Sequence, residues 1–341
     1  MKSKVPFSRD VLEIDAAREV GAICGAIRDA LGKRLHKRGL VVGISGGIDS
    51  SVTAALCTMA AGKEKVIGLQ MPERNSAPET RALSSSIADH LGIAKIEVDI
   101  TPILEAVDYY EKYDAAVRMA VPEYGRGWRS KIAVSDLAED RGYTLFSIVA
   151  APPGGAEAKK RLDLESYLAI VAATNFKQRI RKMLEYYHAD LRNYAVAGTP
   201  NRLEYDQGFF VKLGDGAADI KPIAHLYKTQ VFQLARHLGL PVAIIDRVPT
   251  TDTYSLPQGQ DEFYFAVPYD VMDLCLYGKN HGVTPGKVGR VAGLPETRVI
   301  AIYQDIDRKR AATRYLHLAP LLAGPVPEID GEPAGRGSWR T

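Results

Sequence analysis

Apolar and polar residues alternate with two different periods along the first hundred residues of the chain. Over residues 10–38, apolar residues recur every three or four positions, which predicts an amphipathic helix that ends at Gly39. Short apolar runs then predict strands, separated by segments with helical periodicity. The predicted elements are a strand over 40–44, a helix over 51–61, a strand over 65–71, a helix over 78–91 and a strand over 95–99. This alternation indicates an α/β fold, a Rossmann-like, doubly wound parallel sheet with its ligand beyond the carboxyl ends of the strands.

The same pattern resumes later in the chain. Helical periodicity extends over 164–191, and a strand over 193–197 runs into Gly198 and Thr199. Because the carboxyl ends of parallel strands meet at one edge of the sheet, we expect this second loop to lie beside the loop that follows the first strand.

The segment over residues 101–165 has the least regular pattern and predicts an insertion. Its aromatic and arginine cluster at 124–129 fits a lid over a substrate as well as it fits a surface insertion. We therefore expect one domain over residues 1–320, with helical additions and this insertion. Residues 321–341 are rich in Gly, Pro and Glu and predict a disordered tail.

Composition narrows the classes of function. Apolar residues make up 46% of the chain and charged residues 25%, and the formal net charge of +3 is too small to indicate a nucleic-acid surface. No uninterrupted apolar run approaches the roughly 20 residues of a membrane span. Cys24, Cys57 and Cys275 are isolated, so we expect free thiols rather than disulfides, and a cytoplasmic protein.

The first strand ends in a glycine-rich loop, residues 43–51, here called the glycine loop. Its two consecutive glycines let the backbone approach a ligand closely, and its hydroxyl groups add donors at the start of a helix. An aspartate in the same loop would repel a bare phosphate but suits one bound to magnesium. The candidate nucleotide-binding residues are Ser45, Gly46, Gly47, Asp49, Ser50 and Ser51. An ordinary glycine turn, with the aspartate as a helix cap, is the structural alternative.

The Ser-Gly-Gly-x-Asp-Ser pattern at 45–50 resembles the pyrophosphate-binding loop of the ATP-pyrophosphatase superfamily. Members of that superfamily cleave ATP between its α and β phosphates to adenylate a substrate. Residues 175–183, 198–204 and 208–223 are similar to patterns of one family within it, the NAD synthetases. Three positions depart from the family pattern: Pro200 replaces a glycine, while Arg202 and Arg247 replace lysines.

This resemblance implies an ammonia-dependent ligase that uses ATP and Mg²⁺ to amidate deamido-NAD through an adenylated intermediate. The products would be NAD, AMP and pyrophosphate. The three isolated cysteines offer no setting for a glutaminase nucleophile, and no hydrolase domain precedes residue 40, so free ammonia or a separate glutaminase would supply the nitrogen. The long helices over 10–38 and 164–191 would build a homodimer interface, or would pack within one chain.

The resemblance also implies roles for individual residues. Asp49 and Glu204 would be the magnesium ligands. The catalytic residues would be Lys212, Lys228 and Asp219, the last orienting ammonia. Thr199, Lys228 and Thr250 would join the glycine loop in binding ATP. The acceptor would be bound by Asn175, Arg179, Phe209, Lys212 and Asp219.

Other functions remain open from the sequence. A ligase of the same scaffold could adenylate a different carboxylate, because the insertion and the substituted positions lie where the acceptor would bind. A tRNA sulfur-transfer enzyme could share the glycine loop, but it would need catalytic cysteines and a basic surface. A catalytically dead nucleotide-binding protein would not need Asp49, Glu204, Lys212 and Lys228.

Overall fold

The structure, a computed structural model, describes residues 7–134, 146–247, 254–256, 259, 264–265 and 267–326. Its centre is a parallel sheet of four strands, β1 (Leu40–Gly43), β2 (Val66–Gln70), β3 (Ala94–Glu97) and β7 (Ala195–Ala197). Their order across the sheet is β3-β2-β1-β7. Val42 of β1 pairs with Ala197 of β7, so the two strand-to-loop exits are neighbours, as predicted.

Helices cover both faces of this sheet. On one face, Leu40 and Val42 pack with α1 (Ala16–Asp29), α2 (Ile48–Ala61) and α8 (Lys228–His237). On the opposite face, Val41 packs with α6 (Leu164–Asp190). Because successive side chains of a strand point to opposite faces, the apolar run over 40–42 suits a strand buried on both sides. The doubly wound α/β prediction is confirmed.

The prediction of one helix over residues 10–38 is wrong, because the segment consists of three helical pieces of different types. The segment begins with a 3-10 turn, Arg9–Leu12, and α1 starts only at Ala16, where the Asp15 side chain accepts a hydrogen bond from the Arg18 N–H at 3.1 Å. Ala30–Leu35 forms a π-helical turn, and His36 ends it with a φ of 51°. The aspartate interrupts the helix because its side chain competes for the backbone N–H groups.

Within residues 101–165, the described parts, 101–134 and 146–165, form two helices and a small antiparallel sheet before α6 begins. The helices are α4 (Thr101–Ala106) and α5 (Tyr109–Ala120). The sheet, here called the inserted sheet, consists of β4 (Arg129–Val134), β5 (Phe146–Ala151) and β6 (Ala158–Arg161), with β5 in the middle. Ile132 and Ile148 are fully buried against Ile170 of α6, so the inserted sheet packs on α6.

A helical unit follows the sheet, in a region to which the periodicity assigned no elements. Its core includes Leu274, Val288, Val299 and Ile302. The helices are α10 (Tyr269–Asn280), α11 (Pro285–Ala292) and α12 (Glu296–Thr313). Two short helices, α7 (Arg202–Gln207) and α9 (Val242–Ile245), and α3 (Pro78–Leu91) complete the fold.

The chain continues after α12 as a 3-10 turn, Arg314–His317, and residues 318–326 are exposed. The rest of the predicted tail, 327–341, lies outside the described residues. Among the helices that the structure describes, none combines the length and the apolarity needed to cross a bilayer.

Candidate active site

A cavity of 810 Å³ lies at the carboxyl ends of β1 and β2 and extends along α6. Parallel sheets place their ligands at this edge, and the cavity lies where the sequence predicts it. The predicted site residues on its wall are Ser45, Ser50, Asn175, Arg179, Thr199, Glu204, Phe209 and Lys212. The wall does not include Gly46, Gly47, Asp49, Ser51, Asp219 or Lys228. Thr250 lies outside the described residues.

Gly46 shapes the glycine loop through two separate constraints. Its φ of 69° lies in the left-handed region, which favours glycine. A Cβ on Gly46 would also lie 2.5 Å from Leu83 Cβ and 2.9 Å from the Ser84 nitrogen. Gly47, the residue that caps α2, has no side chain to accept hydrogen bonds from the first-turn amides. The N-terminus of α2 is therefore suited to an anion.

The three serines of the glycine loop have different roles in this structure. The Ser50 hydroxyl accepts from the Ser45 N–H at 3.3 Å and donates to the Gly47 carbonyl at 3.0 Å. Ser51 is fully buried, and its hydroxyl donates to the same carbonyl at 2.8 Å. Ser45 and Ser50 therefore lie where a phosphate could reach them, whereas the hydroxyl of Ser51 stabilises the first turn of α2.

Arg247 lies against the same loop. Its guanidinium donates to the Ser45 carbonyl at 3.4 Å and to the Thr80 hydroxyl at 3.1 Å. The arginine that replaces the family lysine thus places a positive charge beside the predicted phosphate site.

Asp49 is held by two residues from distant parts of the chain. Its carboxylate accepts hydrogen bonds from the Lys228 Nζ and from the Asn201 Nδ2, the latter at 3.2 Å. Lys228 is buried, and the backbone N–H groups of Lys228 and Thr229 donate to Asp273 at 3.3 and 2.7 Å. Lys228 therefore supplies a buried counter-charge to Asp49 rather than a side chain on the cavity wall.

Glu204 combines a structural contact with an electrostatic one. Its carboxylate accepts from the Asn201 N–H at 3.0 Å, in a reciprocal capping box at the start of α7. Burial, and then the negative charge of Asp49, raise the pKa of Glu204 to about 8. Two carboxylates thus share a poorly hydrated space.

These two carboxylates would suit a magnesium ion by their chemistry. A divalent cation would neutralise the charge that raises the pKa of Glu204, and carboxylate oxygens are hard ligands that Mg²⁺ prefers. In the part of the chain that the structure describes, no group of three or more His, Cys, Asp or Glu side chains could hold a metal. Phosphate oxygens and water would therefore complete the coordination, as is common for Mg²⁺.

Four of the five predicted acceptor residues line the cavity, and Asp219 does not. Arg179 of α6 donates from its Nε to the Lys212 carbonyl at 3.3 Å, which connects α6 to the loop after α7. The Lys212 ammonium donates to the carbonyls of Tyr315 and Leu318 at 2.9 and 3.1 Å. Lys212 thus holds the turn after α12 close to the cavity.

Phe209 belongs to an aromatic stack within the protein, and its contact with the acceptor remains a prediction. Phe209 stacks on Tyr264 with 4.6 Å between the ring centroids and 22° between their planes. Phe210, the next residue in the chain, stacks on Tyr205 with 5.9 Å between the ring centroids. Both phenylalanines line the cavity.

Asp219 does not line the cavity, and its side chain is bound to the backbone of β7. Its carboxylate accepts from the Val196 N–H at 2.7 Å, and its own N–H donates to the Val196 carbonyl at 2.9 Å. The side chain therefore fastens a loop to the edge of β7. Its role toward ammonia remains a prediction.

Sequence reasoning missed the contribution of α12 to this site. Asp305, Arg308 and Lys309 line the cavity, and the Lys309 ammonium lies 2.7 Å from the Asp305 carboxylate and 4.3 Å from the ring centroid of Tyr264. The available signal was a cluster of cations at 308–310 in a segment whose apolar positions, such as Val299 and Ile306, have helical spacing.

Comparisons with known proteins identify the family. The family model for NAD synthase matches residues 19–124 and 147–313. An NH(3)-dependent NAD(+) synthetase of Rhizobium meliloti (strain 1021) is 54% identical over 329 residues, which cover 96% of this chain and 98% of that protein. The corresponding protein of Mesorhizobium japonicum is 54% identical over 318 residues, covering 93% of this chain and 100% of that one.

Solved structures support the same fold. A structure of NMN synthetase from Francisella tularensis aligns with a TM-score of 0.61 at 21% identity, covering 91% of this chain and 99% of that one. A structure of NH3-dependent NAD synthetase from Campylobacter jejuni aligns with a TM-score of 0.59 at 21% identity, covering 91% of this chain and 100% of that one. At this identity the likeness concerns the fold alone. With the family model matched over most of its length, the chain belongs to the NAD synthase family.

Proposed function

We propose that the chain is an ammonia-dependent NAD synthetase, which adenylates deamido-NAD with ATP and then replaces AMP by ammonia. The observation that carries this proposal is the convergence of the glycine loop, Asp49 and Glu204 at one edge of the sheet. The same activity is in the names of relatives that are 54% identical over nearly the whole chain.

The reaction has two displacement steps. In the first, a carboxylate oxygen of deamido-NAD attacks the α-phosphorus of ATP, and the bond to the bridging oxygen breaks to release pyrophosphate. In the second, the ammonia nitrogen attacks the acyl carbon and loses a proton, and AMP departs with the anhydride oxygen. Both steps require the reacting groups to be held in line while charge grows on the leaving group.

The glycine loop and its flanking residues would bind the triphosphate. The N-terminus of α2, with the Ser45 and Ser50 hydroxyls, would donate hydrogen bonds to the pyrophosphate as its charge develops. Asp49 and Glu204 would hold magnesium, which when bound would neutralise phosphate charge and stabilise the leaving pyrophosphate. Lys228 would orient the Asp49 carboxylate through their ion pair.

Lys212, Arg179 and Asn175 would bind the acceptor and its adenylate. All three line the cavity, and Lys212 and Arg179 each carry a positive charge that suits phosphate oxygens. To reach a phosphate, the Lys212 ammonium would exchange the carbonyls of Tyr315 and Leu318 for the ligand. Asp219 and Thr250 keep their predicted roles as part of this proposal.

Ammonia rather than glutamine would be the nitrogen donor in the isolated chain. Cys24, Cys57 and Cys275 are free and buried, and burial raises the pKa of each thiol. A glutaminase needs an accessible thiolate, which these environments disfavour. A separate glutaminase could supply ammonia in the cell, and the three free thiols fit the reducing cytoplasm.

We also propose a homodimer that forms through α6. This helix exposes five large apolar side chains along its length, Leu164, Leu168, Phe176, Met183 and Tyr187, and Leu191, directly after its last residue, is exposed as well. Large exposed apolar side chains grouped on one element are typical of an interface between chains. Sedimentation velocity should show a dimer, and Met183→Glu should shift it toward monomer.

Product analysis tests the proposed activity. Purified protein with ATP, Mg²⁺, ammonium and deamido-NAD should form NAD, AMP and pyrophosphate in equal amounts, and glutamine alone should not replace ammonium. ADP as the stoichiometric product would contradict the adenylation step. If ATP binds but deamido-NAD neither binds nor turns over, the related ligase that adenylates another carboxylate becomes the better assignment.

A further inference from the structure

The cavity has two chemically different ends, and α6 connects them. Tyr167, Asn175 and Glu185 all line it from this helix, and the 18 residues from the first to the last correspond to about 27 Å along a helix. Glu185 marks the end next to the glycine loop, because a Cβ on Gly43 would lie 2.9 Å from its carboxylate oxygen. Tyr167 therefore lies far from the predicted phosphate site.

Aromatic side chains form the wall at the Tyr167 end. The Phe146 ring stacks on Tyr167 with 4.4 Å between centroids and 22° between planes. Tyr254 and Tyr315 line the same cavity, and burial raises the pKa of Tyr167 and of Tyr254. The Lys212 ammonium lies 5.7 Å from the Tyr315 ring centroid. The rings themselves suit a flat, uncharged group.

The inserted sheet contributes two residues to this wall. Phe146 begins β5 and pairs with Val134 at the end of β4, and both residues line the cavity. The family model leaves residues 125–146 unmatched, so Phe146 belongs to a segment that the family pattern does not include. The inserted sheet thus adds a ring to a cavity whose other end has the family's glycine loop.

We propose that the stacked pair of Phe146 and Tyr167, here called the aromatic platform, offers the outer face of the pair to the purine ring of the acceptor dinucleotide. This inference rests on the proposed function. The reacting carboxylate of the acceptor must lie at the α-phosphate of ATP, near the glycine loop, so the opposite end of an extended dinucleotide points toward the far end of the cavity. That opposite end is a purine, whose faces stack on aromatic side chains. The inserted sheet is therefore a specificity element that favours a dinucleotide over a mononucleotide acceptor.

A comparison of two acceptors in steady-state kinetics tests this inference. Deamido-NAD carries the purine, whereas nicotinate mononucleotide has the same reacting carboxylate without it. Phe146→Ala should lower kcat/KM for deamido-NAD by roughly 5- to 150-fold, the range found when one base loses its aromatic partner. The same variant should leave kcat/KM for the mononucleotide and KM for ATP within about twofold of wild type, because neither contacts the platform.

Two control variants separate stacking from loosening of the fold. Phe146→Tyr keeps an aromatic ring and should retain the preference for deamido-NAD. Ile148→Val removes one buried methylene from the same sheet, away from the cavity wall, and should leave both acceptors unaffected. Equal losses for both acceptors in Phe146→Ala, a raised KM for ATP, or no change at all would each overturn the inference.

Calorimetric binding keeps the inference testable if turnover fails. Wild-type protein that forms no NAD would contradict the proposed function, whatever the variants do. Deamido-NAD binding should still be weaker in Phe146→Ala than in wild type by the same factor. Equal dissociation constants for the two proteins, or no binding of deamido-NAD to wild type, would overturn the aromatic platform.

Discussion

The two ends of the cavity are built from different kinds of sheet, and each sheet offers a different chemistry. The parallel sheet ends in a glycine loop and a helix N-terminus, beside the buried pair of Asp49 and Lys228. The antiparallel inserted sheet offers Phe146, stacked on Tyr167. Backbone amides and charges suit the reacting phosphates, whereas rings suit a remote part of the substrate. Reaction and recognition can therefore be altered separately, and each of the following variants tests this separation.

The largest effect on turnover is expected for Glu204→Gln. The glutamine oxygen can still accept the Asn201 N–H, so the cap of α7 is retained, while the negative charge that would hold magnesium is lost. Loss of several kcal/mol of charge stabilisation corresponds to a fall in kcat on the order of 10³-fold. The measurement is pyrophosphate release at saturating Mg²⁺, with the melting temperature as a control for folding. Near-normal kcat would rule out Glu204 as a metal ligand.

Asp49→Asn is a less clean test of the same site. It removes a carboxylate but also leaves the buried Lys228 ammonium without its partner, so stability should fall together with activity. The double variant Asp49→Asn, Lys228→Met should recover part of the stability while remaining inactive. Recovery of turnover in the double variant would show that Asp49 serves only to neutralise Lys228.

The next effect concerns a buried ion pair that connects α6 to the loop after β2. Lys177 of α6 and Glu73, in the loop after β2, form a buried ion pair at 3.1 Å, and the Tyr110 hydroxyl donates to the same carboxylate at 2.8 Å. Lys177→Ala should lower the free energy of unfolding by about 3–5 kcal/mol because it leaves Glu73 buried without its ammonium. Urea denaturation provides the measurement. The double variant Lys177→Met, Glu73→Leu should be less destabilised, and equal losses would contradict the uncompensated charge as the cause.

A smaller effect is expected at the middle of the cavity. Arg179→Ala should raise KM for deamido-NAD about ten- to a hundredfold, which corresponds to the roughly 1.5–3 kcal/mol of a hydrogen bond to a charged group. KM for ATP should change far less, because the glycine loop is on another element. Arg192, which lies beyond the end of α6 and off the cavity wall, provides the matched control Arg192→Ala. A parallel rise in KM for both substrates would remove Arg179 from the acceptor site.

The smallest effect is expected where the inserted sheet is anchored. The Tyr113 hydroxyl of α5 bonds to the Ser130 hydroxyl of β4 at 2.9 Å, and Tyr124 bonds to the same serine at 3.1 Å. Because Ser130 keeps one partner, Tyr113→Phe should cost only about 1 kcal/mol of stability. Thermal unfolding measures that loss, and both KM values should remain those of wild type. A changed KM for ATP would mean that the two ends of the cavity are coupled.

The parallel sheet was predictable because local signals and long-range pairing agree there. Apolar strands, the glycine loop and the exit at Gly198 each imply the same sheet edge, and β7 does lie beside β1. The inserted sheet was not predictable in the same way. Its strands are joined through residues 135–145, and β6 has an exposed, basic sequence that gives no apolar alternation.

Within the site, the sequence indicates which residue types are present better than it indicates which partners their side chains contact. The pattern around Lys228 indicates a phosphate ligand, yet its side chain turns inward to Asp49, because a carboxylate from another segment is close enough to pair with it. Asp219 likewise pairs with the backbone of β7. Such contacts depend on which distant segments meet in the fold, and motif spacing within a segment does not report them.

The pairing of Asp49 with Lys228 also has a consequence for the order in which the protein is made. The two residues are 179 positions apart in the chain. At a synthesis rate of about 5–20 residues per second, Lys228 is added roughly 10–35 s after Asp49. Until then the nascent chain contains the whole glycine loop without the cation that neutralises it. The Asp49–Lys228 pair therefore forms late in translation, when α8 has emerged and packed on α2.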